Sequence, residues 1–247
     1  GLMTGPCHRA VYLWIAAVLH MYMTLDAIDG KQARRTGSSS PLGQLFDHGC
    51  DAVNLVFTVV MTWTAFNVHG SPFMMVAAVL CYVNFFVSTW EEFHTHCLVL
   101  DFINGPVEGS TMVALASLAS AILGPEVWRT PVAKLAPMAF KTANFGSAGP
   151  LLETVWRSLR LNDILVGMVI ISVGAAVASS VYRVVVHRGV SALGTAVPGL
   201  AALATVLWWF GQTRELWNAA GYTLFVCFSG FVATNLISEI ILRTVSH

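Results

Sequence analysis

Four aspartates close together are the residues of this chain best suited to chemistry. Asp26 and Asp29 lie three positions apart, and Asp47 and Asp51 follow four positions apart, in an otherwise strongly apolar sequence. A carboxylate in a membrane is costly, and four together need compensating positive charge. Ligands that are all oxygen favour hard cations such as Mg²⁺ or Mn²⁺. Because two divalent ions would balance four carboxylates, we predict a site for two ions here.

Small residues and one arginine accompany the aspartates. On a helix, steps of three, four and seven residues return to nearly the same direction, which puts Gly30 and Ala33 on the face of the first acidic pair. Gly43 precedes the second pair by the same step of four. Arg34 carries a planar, permanently charged fork that suits bidentate contact with phosphate. Together these residues predict a centre for phosphoryl or phosphoalcohol transfer.

Acidic residues near the end of a membrane helix can also have simpler roles. A solvated helix end with salt bridges would account for any one of the aspartates, but not for all four at these spacings. A cation transporter is an alternative from another class. Transporters hold their ions near the midplane of the bilayer, often on broken helices. Here the acids gather at one end of the spans around Arg34, which would repel a permeating cation.

The composition shows which elements must position these residues. Hydrophobic residues make up 56% of the chain and charged residues 11%, whereas about a quarter of a soluble domain is charged. The fold class predicted is all-α, a polytopic transmembrane helical bundle. The formal net charge is zero, so no excess of positive charge suggests nucleic acid as a partner. Five scattered cysteines without a Cys-x-x-Cys pair indicate neither a disulfide framework nor a zinc site.

About seven stretches are apolar enough to cross roughly 30 Å of hydrocarbon. They cover residues 10–25, 53–68, 72–89, 109–123, 164–186, 193–210 and 219–242. We predict a single membrane domain over 1–247. Its N-terminal helices, in 1–123, carry the motif at 26–51, and its C-terminal helices lie in 163–247. The loop 124–162, with its Pro and Gly residues, separates the two groups.

Basic residues between the spans predict the orientation. Those in the short loops fall on one side of a bundle of seven spans, which is therefore expected to be cytoplasmic and to carry the active site. They are Lys31, Arg34, Arg35, Arg183, Arg188 and Arg243. The loop 124–162 carries further basic residues on the opposite side, which departs from the simple rule, although longer loops obey it less strictly.

The acidic motif resembles the complete signature of a known family. The run Asp26-x2-Asp29-Gly30-x2-Ala33-Arg34-x8-Gly43-x3-Asp47-x3-Asp51 is similar to that of the CDP-alcohol phosphotransferases, with all eight positions present across 26 residues. Its flanks, such as Lys-Gln-Ala-Arg-Arg-Thr and Leu-Phe-Asp-His-Gly-Cys-Asp, resemble the eukaryotic choline/ethanolamine phosphotransferases. Trp90-Glu91-Glu92 and the run 104–109 are also similar to that branch. The resemblance is strong over about 19–109 and weak beyond.

The resemblance implies roles for the residues of the motif. The four aspartates would hold two divalent ions, Mg²⁺ or Mn²⁺. Gly30, Ala33, Arg34 and Gly43 would shape the pocket for the CDP-alcohol, with Arg34 on the pyrophosphate. The substrates implied are CDP-ethanolamine or CDP-choline and diacylglycerol, and the products are phosphatidylethanolamine or phosphatidylcholine and CMP. A relative that joins CDP-diacylglycerol to a polar alcohol is an alternative, against which the flanking residues argue.

The lipid hydroxyl needs a base, and two residues compete for that role. Asp51 is often given it in the wider family, but a carboxylate bound to metal is a weakened base. His48 is specific to the branch that this chain resembles, and an imidazole titrates in the useful range. Glu108 would orient His48, as an acid orients the base of a catalytic triad.

A second cluster, Glu91-Glu92-Phe93-His94, contains the Glu-x-x-His step found in di-iron proteins. Those sites need a second such step, which this chain lacks, so we predict a helix end at the membrane interface. No aromatic cage for a quaternary ammonium is evident, so the head group stays open between choline and ethanolamine. The family resemblance also implies a homodimer in the endoplasmic reticulum or Golgi, and further spans on either side of this chain, which we expect to be a fragment.

Overall fold

The computed structural model describes residues 7–68, 72–97, 99, 106–135, 154–155, 157–213 and 219–246, and the statements below concern these residues. They form seven long helices and one short one, with no strand among them beyond an isolated bridge between Pro131 and Arg160. The helices are α1 (Arg9–Thr36), α2 (Pro41–Ala65), α3 (Pro72–Thr95), α4 (Pro106–Leu123), α5 (Val132–Leu135), α6 (Leu161–Arg188), α7 (Leu193–Gln212) and α8 (Ala219–Val245). The all-α prediction is confirmed.

Six of the seven predicted spans fall within one of the long helices, and the second, 53–68, continues three residues beyond the end of α2 at Ala65. Five helical segments are long and apolar enough to cross a membrane: Arg9–Thr36, Met74–Thr95, Leu161–Arg188, Val190–Gln212 and Gly221–Val245. In α4 the apolar segment Glu108–Leu123 is shorter, and the first half of α2 carries the aspartates of the motif. The protein is a polytopic integral membrane protein.

The helices pack in a defined order. The α1 helix lies mainly along α4, while α8 lies between α2 and α3, and α6 covers another side of α3. Close packing at α8 depends on Gly230, where a Cβ atom would lie 2.6 Å from the Val56 side chain and 2.9 Å from the Tyr82 hydroxyl. Tyr82 is buried and donates a hydrogen bond to the Val226 carbonyl at 3.3 Å. The two helices that carry the motif, α1 and α2, therefore pack against different neighbours.

A short turn joins α1 to α2 and brings the two halves of the motif to the same end of the bundle. The first helix ends at Gly37, whose φ of 66° is left-handed and suits a residue without a side chain. Ser40 then caps α2 by accepting a hydrogen bond from the Gly43 N–H at 3.1 Å, and Pro41 occupies the first turn. We call this the motif end of the bundle.

The opposite end is tied together by Asn67, which follows α2. This buried residue donates from its amide to the Pro125 carbonyl at 3.2 Å, and its own carbonyl accepts from Arg129 at 3.3 Å and from Asn162 at 3.5 Å. These contacts join α2 to the 3₁₀ helix Pro125–Arg129 and to the start of α6. Residues 136–153 and 156 of the predicted dividing loop, and the flank at 104–105, lie outside the described residues.

Candidate active site

Three of the four aspartates converge at the motif end. Asp26 lies in the later turns of α1, and Asp47 and Asp51 lie on successive turns of α2. One carboxylate oxygen from each lies within 4.8 Å of the others, and all three side chains are partly buried. The step of four from Asp47 to Asp51 therefore places both acids of α2 on the face that meets Asp26 of α1.

Asp29, the fourth aspartate, sits at the edge of this group. It is exposed, and its carboxylate accepts a hydrogen bond from the Gly30 N–H. Its charge still acts on both Asp26 and Asp47. The four acids thus form one electrostatic cluster, in which three meet closely and the fourth stands beside them toward solvent.

A tyrosine that the motif does not include completes this group. The Tyr22 hydroxyl donates a hydrogen bond to the Asp51 carboxylate. Tyr22 precedes Asp26 by four residues, so both side chains lie on the same face of α1. That spacing is the signal in the sequence that could have identified Tyr22, which the predicted site does not include. The tyrosine fixes one oxygen of Asp51 and turns the carboxylate toward its neighbours.

Burial and mutual repulsion perturb the two aspartates that precede the apolar half of α2. Burial raises the pKa of Asp51 to about 6, the hydrogen bond from Tyr22 opposes this rise, and the charges of Asp26 and Asp47 add to it. Burial, followed by the charge of Asp29, raises the pKa of Asp47 as well. Both shifts have the direction expected for carboxyl groups that are partly buried close to other carboxylates.

The residues present fit a divalent metal ion. The converging donors are three carboxylates without thiol or imidazole, which is the ligand chemistry of Mg²⁺ and Mn²⁺ rather than of zinc or copper. Their partial burial distinguishes them from acids scattered over a solvated surface. The cluster can therefore hold a metal ion.

The small residues of the motif make room for their neighbours. A Cβ atom on Gly30 would lie 3.4 Å from a terminal nitrogen of Arg34, so this glycine leaves space for the arginine to fold back along α1. A Cβ atom on Gly43 would lie 3.3 Å from the Ser40 hydroxyl that caps α2. The Ala33 carbonyl accepts the Ser38 N–H at 3.0 Å where α1 ends. Arg34 itself is exposed.

His48 projects from α2 between the two aspartates and is only 14% exposed. Its Nδ1 lies 3.7 Å from an oxygen of Glu92, near the end of α3. Gln44, one turn earlier on α2, donates to the other oxygen of Glu92 at 3.0 Å. Glu108, the acid predicted for this role by analogy with a catalytic triad, is exposed in the first turn of α4. Among the described residues, the acid that contacts His48 is Glu92.

Comparison with known proteins relates this chain to one family. A family model described as CDP-alcohol phosphatidyltransferase matches residues 2–134. Two choline/ethanolaminephosphotransferases of Arabidopsis thaliana are 34% and 36% identical over 208 residues, which are 83% of this chain and 51% of each relative. Cholinephosphotransferase 1 of Xenopus laevis is 34% identical over 195 residues, 78% of this chain and 42% of the relative. The chain thus spans about half the length of these curated relatives.

Proposed function

Since the chain belongs to the CDP-alcohol phosphatidyltransferase family, we propose that it transfers phosphoethanolamine or phosphocholine from CDP-ethanolamine or CDP-choline to diacylglycerol. The observation that carries this proposal is the convergence of Asp26, Asp47 and Asp51 beside His48. Relatives named choline/ethanolaminephosphotransferase and cholinephosphotransferase support the class of substrate. The protein would act in phospholipid synthesis.

The aspartates would hold the metal. Asp26, Asp47 and Asp51 would supply oxygens for one divalent ion, and Asp29 at their edge would extend the set toward a second. We propose Mg²⁺ or Mn²⁺ for both. Bound there, such ions supply positive charge for the phosphate oxygens of the substrate.

The residues around the cluster would bind the CDP-alcohol. Arg34 would contact the diphosphate, because its fixed fork matches two phosphate oxygens at once. Gly30 would leave the backbone of α1 open beside that diphosphate, with Ala33 on the same face. Gly43 would do so at the start of α2, where its small size also preserves the cap from Ser40.

The chemical step exchanges one bond at phosphorus for another. The hydroxyl oxygen of diacylglycerol forms a bond to the phosphorus that carries the amino alcohol, the bond from that phosphorus to the bridging oxygen breaks, and CMP leaves with the electron pair. The hydroxyl proton passes to a base, for which we propose His48. Asp51 is the other candidate, but its oxygens are engaged by Tyr22 and by the acidic cluster. An orienting role for Glu108 stays a prediction.

We also propose that the motif end faces the cytoplasm of an endoplasmic reticulum or Golgi membrane, in a homodimer. Arg34 and Arg35 end α1 at the motif end, and Arg188 donates to the His94 carbonyl at 2.8 Å at the same end. Cys50 is exposed at this end and Cys7 at the other. In sealed vesicles of known orientation, an impermeant thiol reagent should therefore label single-cysteine variants that retain Cys50 and those that retain Cys7 from opposite sides; labelling from one side contradicts the topology.

A reconstitution assay tests the function. The purified protein in lipid vesicles receives labelled CDP-ethanolamine, CDP-choline or CDP-diacylglycerol, together with Mg²⁺ or Mn²⁺. CMP release that depends on diacylglycerol supports the proposal. Release that requires CDP-diacylglycerol and a polar alcohol would assign the chain to the alternative chemistry. Metal flux without CMP release would point to a transporter.

A matched pair of histidine variants tests the base. His48→Ala should lower turnover by about 100-fold or more, because general base catalysis contributes about that much, while the binding of CDP-alcohol is retained. His187→Ala, at an exposed site near the end of α6, should leave turnover unchanged. Near-normal turnover in His48→Ala would remove this residue from the role.

A further inference from the structure

The end of α3 is held from three sides. Trp90 donates to the Thr195 hydroxyl of α7 at 2.8 Å. Glu91 is fully buried and pairs with Arg183 of α6, one of whose terminal nitrogens lies 2.9 Å from a Glu91 oxygen. Glu92, the next residue, turns instead toward α2 and contacts Gln44. Adjacent residues of one helical turn therefore fasten α3 to three different helices.

Glu92 is placed with its charge facing His48. Its side chain is 12% exposed, and its two oxygens point to two residues on the same face of α2. One oxygen accepts from Gln44 at 3.0 Å, and the other lies 3.7 Å from the Nδ1 of His48. Within the described part of the chain, His48 is the one residue able to carry positive charge that pairs with Glu92. Arg183 of α6 is paired with Glu91, the residue before Glu92.

This arrangement leaves Nε2 of His48 available to accept a proton. A carboxylate beside Nδ1 favours the form of the ring that carries its proton there, so Nε2 keeps a lone pair. The separation of 3.7 Å is longer than a hydrogen bond, and such contacts tighten when substrate binds.

From these contacts we propose that Glu92 is a positioning residue, which fixes the ring of His48 through Nδ1 while Gln44 fixes Glu92. The pairs Glu91–Arg183 and Trp90–Thr195 hold the end of α3 in place for this task. The C-terminal helices, which carry none of the motif, thereby contribute to the geometry of the site. The inference rests on the proposed function in one respect only, the role of His48 as the base.

A double-mutant cycle tests the proposal by activity. Glu92→Gln should lower kcat by about tenfold or more with little change in the KM for the CDP-alcohol, because substrate binding uses other residues. Glu92→Asp should restore part of the loss. In a His48→Gln background, Glu92→Gln should have no further effect, since Glu92 acts through the ring. Glu239→Gln, at an exposed glutamate on α8, is the control for loss of a charge.

A second test, by ¹⁵N spectroscopy of the histidine rings, does not depend on turnover. In ¹⁵N spectra of histidine-labelled protein in nanodiscs, the signals that disappear in His48→Gln identify this ring. Those signals should shift in Glu92→Gln and stay in place in Glu239→Gln. If the wild type releases no CMP, the proposed function fails. The shift of the His48 signals in Glu92→Gln then tests the contact between Glu92 and His48 by itself. Unmoved ring signals, or equal losses from Glu92→Gln with and without His48, would overturn the inference.

Discussion

The carboxylate of Asp51 shows how single residues build this site. It accepts the Tyr22 hydroxyl, lies among the oxygens of Asp26 and Asp47, and is more desolvated than an acid at a helix surface. Each of these neighbours orients the carboxylate, and two of them repel it. A divalent cation would relieve that repulsion, so the tension within the cluster favours metal binding.

Replacing Asp51 tests the metal site directly. Asp51→Asn removes one ligand charge and should weaken Mn²⁺ binding by about tenfold or more, measured by electron paramagnetic resonance of the free ion. Asp163→Asn, at an exposed aspartate in the first turn of α6 at the opposite end, should leave the affinity unchanged. Equal Mn²⁺ affinity in Asp51→Asn and the wild type would contradict the assignment.

Helical spacing predicted part of this site because it is a local rule. It placed Asp26 on one face of α1 and Asp47 with Asp51 on one face of α2, and the structure brings these three together. It could not foresee that Asp29 stands at the edge, since small rotations about a helix axis decide which acid faces inward. Glu92 was missed as a partner because its contact with Gln44 joins residues 48 positions apart, and no spacing rule reaches that far.

Among the helices, α8 joins the second half of the motif to the rest of the bundle, because it packs against both α2 and α3. Its approach is closest at Gly230, beside Val56 and Tyr82. Hydropathy located such helices well, since an apolar stretch of sufficient length has few alternatives in a bilayer. It placed their ends less well: the first predicted span stops at residue 25, whereas α1 continues to Thr36 through the motif. Polar residues can extend a helix beyond the membrane without any hydropathy signal.

Two glycine-to-alanine variants test the close packing of α8 against α2 and α3. Gly230→Ala should lower the free energy of unfolding by about 1–3 kcal/mol, because its Cβ would overlap Val56 and Tyr82 and force α8 away. Gly174→Ala on α6, where a Cβ would meet nothing within 4 Å, should cause no loss. Denaturant titration in micelles compares the two. If both variants unfold alike, the close approach at Gly230 does not limit the packing.

In the whole molecule, polar clusters sit at both ends of an apolar bundle. The motif end holds the acidic cluster, and the opposite end is tied by Asn67, whose φ of 49° lies in the left-handed region. The two ends share no described hydrogen bond, so their contributions to stability and to metal binding should be separable.

Asn67 tests this separation. Asn67→Ala and Asn67→Gly both lose the amide hydrogen bonds to the Pro125 carbonyl and to Glu126, but alanine keeps a Cβ in the left-handed region, whereas glycine has none. The alanine variant should be less stable than the glycine variant by about 1 kcal/mol, as measured by thermal unfolding. Both should bind Mn²⁺ like the wild type. A loss of Mn²⁺ affinity in Asn67→Gly would show that the ends are coupled.

The two walls of the acidic cluster are held by different neighbours, α1 by α4 and α2 by α8, with few contacts between the walls themselves. A ligand that touches both walls is therefore, in thermodynamic terms, a cross-link between two packing units. Its binding free energy adds to the stability of the bundle, and this added stability is lost when the ligand dissociates. Binding of a ligand at this site should therefore raise the thermal unfolding temperature of the whole protein, even under conditions in which no reaction takes place.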